Sequence, residues 1–439
     1  TVTFEEGATE IARGLFEGCP GLTSIVIPDT VTVIEGYAFA NSALKEVVIG
    51  SSVTSIGYNA FYGTGITEVE IPDSVTEIEY NAFKNCKSLK TVKLSKSLSS
   101  MYYGAFENCV SLTSIEIPKS LQVADVYSGT SYGPFRGCSN LTTVTFEEGA
   151  TEIARGLFEG CPGLTSIVIP DTVTVIEGYA FANSALKEVV IGSNVTSIEY
   201  NAFYGTGITE VEIPDSVTKI EYNAFMNCKS LERVTLSASL ASLGTAAFEN
   251  CEKLQAVSIP DRLTTIPSET FYGCSALEKV TLGNRVTKID TSAFRDCIAL
   301  QEIAIPNTVT TIGNNAFRNC DALVKIVIPD SVTSFGTYVF YDCDSLTDVT
   351  LSGNMTNIPQ YTFGDCDVLE EIVVPRRVTS IDGYAFANAV KFRAITIPRS
   401  VTSIASTAFS YPQKLTIYGV AGTYAETFAN EKGVSFVDK

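Results

Sequence analysis

The stretch Leu300–Ala322, LQEIAIPNTVTTIGNNAFRNCDA, contains the pattern on which the rest of the chain is built. Ile303 and Ile305 alternate with polar or small residues, which is the period of a half-buried β-strand. Pro306 follows directly, and we expect the strand to end there because proline cannot donate a ladder hydrogen bond. The first half of the stretch therefore predicts one short strand.

The second half of the stretch predicts a shorter extended segment and a turn. Val309 and Ile312 are expected to point inward from that segment. Gly313 is expected to permit a turn, and Ala316-Phe317 to lie on a brief helical or 3₁₀ turn. A single unit of this length cannot bury its own apolar face, so it needs similar neighbours.

Such neighbours exist, because the leucine position recurs along the chain every 22 or 23 residues, with one interval of 29. The anchors are Leu22, Leu44, Ile66, Leu89, Leu112, Leu141, Leu164, Leu186, Ile208, Leu231, Leu254, Leu277, Leu300, Leu323, Leu346, Leu369, Phe392 and Leu415. About 18 stacked units would bury one continuous core, each unit contacting only its neighbours. The periodicity predicts a repeat solenoid.

The consensus LxxIxIPxxVxxIxxxAFxxCxx resembles the BspA-type, or Treponema-type, leucine-rich repeat. Ordinary leucine-rich repeats read LxxLxLxxN and lack the proline and the Ala-Phe-x-x-Cys element. The resemblance implies a right-handed leucine-rich-repeat superhelix with a parallel β-sheet on its concave face, and short second strands and 3₁₀ or helical turns on the other side. It also implies secreted or surface-attached proteins of bacteria and some protists, often adhesins that contact host matrix proteins or other cells.

A second level of repetition lies above the unit, since residues 1–142 and 143–284 form a duplicated block, offset by six units. Residues 1–89 recur at 143–231 with four changes, which are Ser52/Asn194, Gly57/Glu199, Glu77/Lys219 and Lys84/Met226. A unique active site is not expected inside a copied block. Duplication would instead lengthen or double a binding surface.

The remaining boundaries follow from departures from the repeat. We expect repeats over residues 1–414 and a C-terminal cap over 415–439, with a helix from Thr423 to Lys432 and a final strand over 434–437. An insertion near 121–134 carries Tyr127 and Tyr132, and insertions in repeat proteins often lie on a binding side. A tolerated surface loop is the simpler interpretation, because added loop length costs little entropy.

The twelve cysteines all lie three residues after a phenylalanine anchor, and we interpret them as buried, reduced thiols. The chain contains no histidine, which removes the Ser-His-Asp and Cys-His arrangements and His-bearing metal sites. No phosphate-binding glycine loop or calcium-binding loop is present. We therefore expect no enzyme activity, no metal and no cofactor.

The net charge of −19 opposes binding to nucleic acid or anionic membrane, both of which need a basic surface. No run of about 18 apolar residues is present, so no membrane insertion is expected. The chain starts at Thr1, in the middle of a unit and without a signal peptide, which favours a mature or trimmed fragment. We expect a monomer.

Candidate partner-binding residues are the polar ones that point outward from the first strands. They are Glu46, Glu68 and Glu70, their copies Glu188, Glu210 and Glu212, and Arg233, in addition to Tyr127 and Tyr132 in the insertion. Ordinary solubilising residues are the simpler alternative. A column of threonines after the proline suits exposed strands, and tyrosines before the phenylalanine are expected to pack partly over the turn.

These observations lead to three hypotheses. The first is a secreted or cell-surface protein that binds another macromolecule, in adhesion to a protein such as a host matrix or cell-surface protein, or to a glycan. The second is a stalk or spacer that presents another domain. The third is an enzyme, which the missing histidine and the repetition disfavour.

Overall fold

A computed structural model describes residues 2, 4–124, 133–409 and 414–439. It is a parallel-strand β-solenoid of about 18 turns with almost no helix, so the predicted fold class is confirmed. The chain divides into two compact units, residues 1–228 and 229–439. Most repeats contribute a first strand before the proline and a second strand after it.

In the first compact unit, the first strands form one series. They are β2 (Ser24–Val26), β4 (Glu46–Val48), β6 (Glu68–Glu70), β8 (Thr91–Lys93), β10 (Ser114–Ile117), β11 (Thr143–Phe146), β13 (Ser166–Val168), β15 (Glu188–Val190) and β17 (Glu210–Glu212). The second strands are β1 (Glu10–Ile11), β3 (Val33–Ile34), β5 (Ser55–Ile56), β7 (Glu77–Ile78), β9 (Ser100–Met101), β12 (Glu152–Ile153), β14 (Val175–Ile176), β16 (Ser197–Ile198) and β18 (Lys219–Ile220).

The second compact unit contains its own two series of strands. Its first strands are β19 (Arg233–Thr235), β21 (Ala256–Ser258), β23 (Lys279–Thr281), β25 (Glu302–Ile303), β27 (Lys325–Val327), β29 (Asp348–Thr350), β31 (Glu371–Val373), β33 (Ala394–Thr396), β35 (Thr416–Gly419) and the terminal β36 (Ser435–Asp438). Its second strands are β20 (Ser242–Leu243), β22 (Thr265–Ile266), β24 (Lys288–Ile289), β26 (Thr311–Ile312), β28 (Ser334–Phe335), β30 (Asn357–Ile358), β32 (Ser380–Ile381) and β34 (Ser403–Ile404).

Equivalent positions of successive repeats pair with each other in parallel register. Within β23 and β25, for example, Lys279 pairs with Glu302 and Val280 with Ile303. The inward residues are buried as predicted, with Val309 at 0% exposure. The phenylalanines of successive repeats stack in a column, and Phe294 and Phe317 lie 5.5 Å apart, ring centre to ring centre. Stacking of this kind supplies the core that no single repeat could form.

The turn after the second strand, expected to be helical or 3₁₀, is an irregular series of turns. Asn315 and Asn319 adopt left-handed backbone conformations, with φ of 56° and 59°, which interrupt a right-handed helix. The amide of Arg318 donates to the carbonyl of Asn315 at 3.2 Å, whereas that of Phe317 donates to Val339 of the next repeat at 3.0 Å. The segment is therefore a chain of hydrogen-bonded turns that alternates bonds within and between repeats.

Gly313 also has a different role from the one expected. Its φ is not positive, so it does not serve a left-handed turn. A Cβ at this position would lie 2.6 Å from the backbone nitrogen of Thr291 in the preceding repeat. The glycine is therefore explained by the close approach of two neighbouring backbones.

The C-terminal segment contains the single helix of the described residues, α1 (Tyr424–Lys432). Gly433 ends it with a left-handed conformation, φ 65°, as the sequence predicted for a helix stop. Phe428 of the helix is 2% exposed and lies 6.0 Å from Phe409, the last ring of the phenylalanine column. The following strand, β36, pairs in parallel with β35.

Two of the four differences between the duplicated blocks lie close together, one on a second strand and the other directly after one. Lys219 replaces Glu77, and its Nζ lies 2.5 Å from Glu221 and 3.8 Å from Glu199, which itself replaces Gly57. The second copy has therefore gained a small ion-pair network. In the first copy, burial and the charges of Glu77 and a neighbouring glutamate raise the pKa of Glu79.

We expect Lys219→Glu to lower the free energy of unfolding by about 1 kcal/mol, because it replaces two half-exposed ion pairs with repulsion among three carboxylates. The matched change, Glu77→Lys in the first copy, is expected to raise it by up to about 1 kcal/mol. Urea denaturation followed by circular dichroism measures both. Equal shifts of the same sign would contradict the assignment.

Candidate interaction face

Within each compact unit, the outward side chains of the first strands form a surface, which we call the first-strand face. Most three-residue first strands bury their middle residue fully or partly and expose the residues on either side, as β6 does for Glu68 and Glu70 around Val69. The predicted acidic candidates are all exposed on this face, and they are Glu46, Glu68, Glu70, Glu188, Glu210 and Glu212. The two-residue period of the strands therefore predicted correctly that these glutamates point away from the core.

The register brings some of these glutamates side by side. Glu188 pairs directly with Glu210, so the Cα atoms of the two residues lie about 5 Å apart on neighbouring strands. Glu70 lies opposite Lys93, whose Nζ approaches its carboxylate to 2.5 Å. This hydrogen bond raises the pKa of Lys93. Both side chains remain largely exposed, so the pair is accessible to a competing partner.

Not every candidate can be placed with that cluster. Arg233 is exposed on β19, which belongs to the second compact unit. Tyr127 and Tyr132, with most of the predicted insertion, lie outside the described residues. The insertion is thus placed only by its flanking residues, among which Ala124 and Pro134 are buried.

The outward valines of the first strands are not among the partner-binding residues predicted from the sequence. Val26 and Val48 are 66% and 59% exposed and pair across β2 and β4. Their copies Val168 and Val190 have the same exposures and pair across β13 and β15. Exposed aliphatic pairs beside carboxylates are typical of contact surfaces, and the signal was present in the alternation of Ser-Ile-Val and Glu-Val-Val.

Shallow hollows lie along the same face. One of about 750 Å³ is lined by residues of β11, β13, β15 and β17, including Val168, Glu188 and Glu210. Another of about 630 Å³ lies beside Val48, Glu68 and Glu70. The second compact unit has a further hollow of about 630 Å³ over β23, β25 and β27. Hollows of this size accept side chains of a partner better than a flat sheet would.

Other polar columns are occupied by bonds between repeats. Thr54 Oγ1 donates to the carbonyl of Thr32 at 3.1 Å, and most of the threonine column repeats this contact. Asn194 and Asn354, both in glycosylation sequons, donate from Nδ2 to Asp171 and Asp330 carbonyls at 2.8 and 2.7 Å. These side chains have a structural explanation and do not require a ligand.

The tyrosines before the phenylalanine anchors form short stacks on the turn side. Tyr338 and Tyr361 lie 4.5 Å apart, ring to ring, and Tyr361 and Tyr384 4.8 Å apart. The guanidinium of Arg318 lies 5.8 Å from the Tyr338 ring. Because the rings stack on each other, they cover one another's faces, as the expected packing over the turn requires.

The cysteines form a buried column. All twelve are unpaired thiols, and eleven are buried, with Cys19 half-buried. Cys297 Sγ donates to the carbonyl of Phe271 in the preceding repeat at 3.2 Å. Burial raises the pKa of Cys86 and of Cys228 to about 11. Within the described ranges, no cluster of three or more Cys, Asp or Glu is arranged to hold a metal ion.

The sequence profile of the BspA type leucine-rich repeat region matches residues 9–130, 130–232, 196–321 and 287–416. The chain belongs to this family. No helix among the described residues has the length and apolarity needed to cross a membrane. None of the curated proteins compared with the chain matches it.

Several solved structures of leucine-rich repeat proteins are similar to this chain. A leucine-rich repeat protein from Bacteroides ovatus is 24% identical, with a TM-score of 0.58 over 100% of this chain and 90% of that one. A leucine rich cell surface protein from Faecalibacterium prausnitzii is 25% identical, covers 98% and 88%, and has a TM-score of 0.31. The leucine-rich repeat protein of T. pallidum is 27% identical, covers 42% of this chain and 78% of its own, and has a TM-score of 0.33. The first of these supports the fold.

Proposed function

We propose that this BspA-type protein is a non-catalytic, secreted or cell-surface module that binds another protein along its first-strand face, in adhesion. The observation that carries the proposal is the exposed valine and glutamate pattern of that face, which the core does not need. Exposed aliphatic side chains that lie beside carboxylates form a surface that a partner with aliphatic and basic groups would complement.

A non-catalytic role agrees with the chemistry of the chain. It has no histidine, and the paired carboxylates Glu68/Glu70 and Glu210/Glu212 are exposed, with nothing to desolvate them. Carboxylates that act as general acids are usually buried enough to raise their pKa. Recognition of an extended, basic partner requires only the exposed surface that these residues supply.

The proposal predicts saturable binding to at least one protein on an array of immobilised matrix proteins and surface glycans. Charge reversal of four residues together, Glu68→Lys, Glu70→Lys, Glu210→Lys and Glu212→Lys, should weaken that binding at least tenfold and reduce its dependence on salt. Biolayer interferometry at two ionic strengths measures both effects.

The control variant reverses four exposed glutamates outside the first strands, which are Glu5, Glu6, Glu148 and Glu431. It changes net charge equally and should retain most of the binding. Equal loss of binding in both variants would mean that the change in net charge, rather than the first-strand face, explains the effect. Binding to glycans alone would contradict a protein partner and support a glycan ligand instead. No binding to any array member would favour the spacer hypothesis.

A further inference from the structure

Three tyrosines of the second compact unit form a stack of nearly parallel rings on the turn segments of successive repeats. They are Tyr338, Tyr361 and Tyr384. Their ring centres lie 4.5 Å and 4.8 Å apart, and the ring planes are inclined by 13° and 9°. Aromatic pairs in proteins have ring centres about 4.5–7 Å apart, so this stack lies at the short end of the range. A further parallel pair, Tyr200 and Tyr222, is wider, at 5.2 Å.

The backbone makes tyrosine an unfavourable choice at these three positions. All three residues are left-handed, with φ of 58°, 56° and 63°. Glycine and asparagine adopt that conformation far more readily than residues with bulky side chains, and they fill the equivalent position in other repeats, as at Asn59 and Gly104. Backbone preference therefore does not explain three successive tyrosines, and the explanation must lie in their rings.

The three phenols point the same way and remain open to solvent. The hydroxyl of Tyr361 interacts electrostatically with those of both Tyr338 and Tyr384, so the ring carbons beside each hydroxyl lie next to their counterparts in the adjoining ring. Tyr384 is 39% exposed, and the other two are half-buried. Rotation about the Cβ–Cγ bond, a torsion with broad minima, turns these carbons edge to edge without moving the ring centres.

Other easily oxidised side chains offer little competition beside this stack. The chain contains no tryptophan. The thiols of the same repeats, Cys343 and Cys366, are fully buried, and burial raises the pKa of both. They therefore lack the exposed thiolate on which cysteine oxidation depends. All twelve cysteines are unpaired, so no disulfide joins neighbouring repeats, and the tyrosines are the groups through which oxidation can join them.

We propose that Tyr338, Tyr361 and Tyr384 form a modification site at which oxidation joins neighbouring repeats by dityrosine bonds. The oxidant is hydrogen peroxide acting through a haem peroxidase, which removes one electron at a time. Each of two phenols loses one electron and one proton, and the two phenoxyl radicals form a carbon–carbon bond between positions beside their hydroxyls. The hydrogens displaced at those carbons move as protons to the phenol oxygens. One peroxide takes up the two electrons and two protons and becomes two waters.

The bonds would act as covalent staples. Each one closes a loop over a single repeat, so two bonds tie three successive repeats together. Cross-links of this kind stabilise a fold chiefly by restricting the unfolded chain. The inference goes beyond partner binding and does not depend on it, because the stack lies on the turn segments and not on the first strands.

The test treats the full 439-residue chain, at low protein concentration, with a haem peroxidase and hydrogen peroxide. Trypsin places Tyr338 and Tyr361 in the peptide 326–376 and Tyr384 in the peptide 378–391. Mass spectrometry should find the first peptide with two hydrogen atoms fewer, and the first joined to the second with loss of two hydrogen atoms. Dityrosine fluorescence should appear in the monomeric chain.

Three variants locate the bonds. Tyr361→Phe keeps a ring in the stack but removes the phenol that both bonds need, so both products should be lost. Tyr384→Phe should lose only the joined peptides. Tyr179→Phe is the matched control, because Tyr179 is also left-handed, with φ 60°, but meets Tyr200 edge to face, at 5.5 Å and 89°. It should retain both products.

The staple should also be visible in the stability of the oxidised protein. Oxidation should raise the melting temperature of the wild-type chain by at least about 2 °C. The same treatment of Tyr361→Phe should give no rise, which circular dichroism measures. Bonds that form without a rise in the wild-type chain would refute the stapling role.

Absence of both products from the wild-type chain, dityrosine found only between chains, or products that survive in Tyr361→Phe would overturn the inference. A bond to Tyr341 in place of one between stacked rings would also overturn it, because the Tyr341 ring is tilted by 55° and 67° to those of Tyr338 and Tyr361. None of these results bears on binding to the protein array, so failure of one proposal leaves the other standing.

Discussion

Replacing Leu157 with alanine is expected to lower the free energy of unfolding by about 2–5 kcal/mol. Leu157 is 0% exposed and lies in the turn segment beside Phe158, whose ring stacks 5.8 Å from Phe135. Truncating a buried leucine removes its transfer free energy and leaves a cavity that the stacked repeats cannot close. Urea denaturation followed by far-ultraviolet circular dichroism measures the change.

The chain supplies its own control for that prediction. Leu15 lies in the same local sequence, ARGLFEGCPGL, but is 53% exposed. It belongs to the first repeat of the described chain, against which no preceding repeat is stacked. Leu15→Ala in the 439-residue chain should cost less than about 0.5 kcal/mol. Similar losses for the two variants would mean that local sequence, rather than stacking, stabilises the repeat.

The second large effect concerns the cysteines. In the native protein at pH 8, Ellman's reagent should modify one thiol quickly, that of Cys19, and the other eleven only as the chain opens. Burial raises the pKa of Cys161 to about 11, so this thiol is both inaccessible to the reagent and rarely ionised to the reactive thiolate. With an opening free energy above about 4 kcal/mol, the buried thiols should react at least 10³-fold more slowly.

The duplicated sequence again gives a matched pair, because Cys19 and Cys161 occupy equivalent positions. Cys19→Ala should remove the fast phase, whereas Cys161→Ala should leave it intact. In strong denaturant, all twelve thiols of the wild-type chain should react at one rate. Several fast thiols in the native state would show that the column is not packed as described.

The core was predictable because each core side chain returns at a fixed offset. Ile303 and Phe317 could be placed inward from the repeat alone, and their burial at 5% and 0% agrees. The same period placed Glu68 and Glu70 outward, since a strand residue that is not buried must face away from the core. The periodicity therefore predicts both which side chains face the core and which side chains face solvent.

Features that depend on the distance between repeats were not predictable in this way. The left-handed conformation of Asn315 and Asn319 accompanies amide hydrogen bonds from both residues to the next repeat, which the pattern of a single repeat does not contain. The sequence predicts a turn at Gly313, whereas the structure shows that the missing side chain lets the backbone of Thr291 in the preceding repeat approach closely. Likewise, the pair of Glu70 and Lys93 depends on the strand register, which a pattern within one unit does not contain.

The pairing of like positions with like has a consequence for how such chains grow. At the junction of the two blocks, Ser114 pairs with Thr143 and Ile117 with Phe146, position for position as at the other parallel strand pairs. A recombination event that copies a whole number of repeats therefore creates a seam that folds like any other. One that copies a fraction would set inward residues against outward ones. Length is thus the property that this architecture can change in a single genetic step.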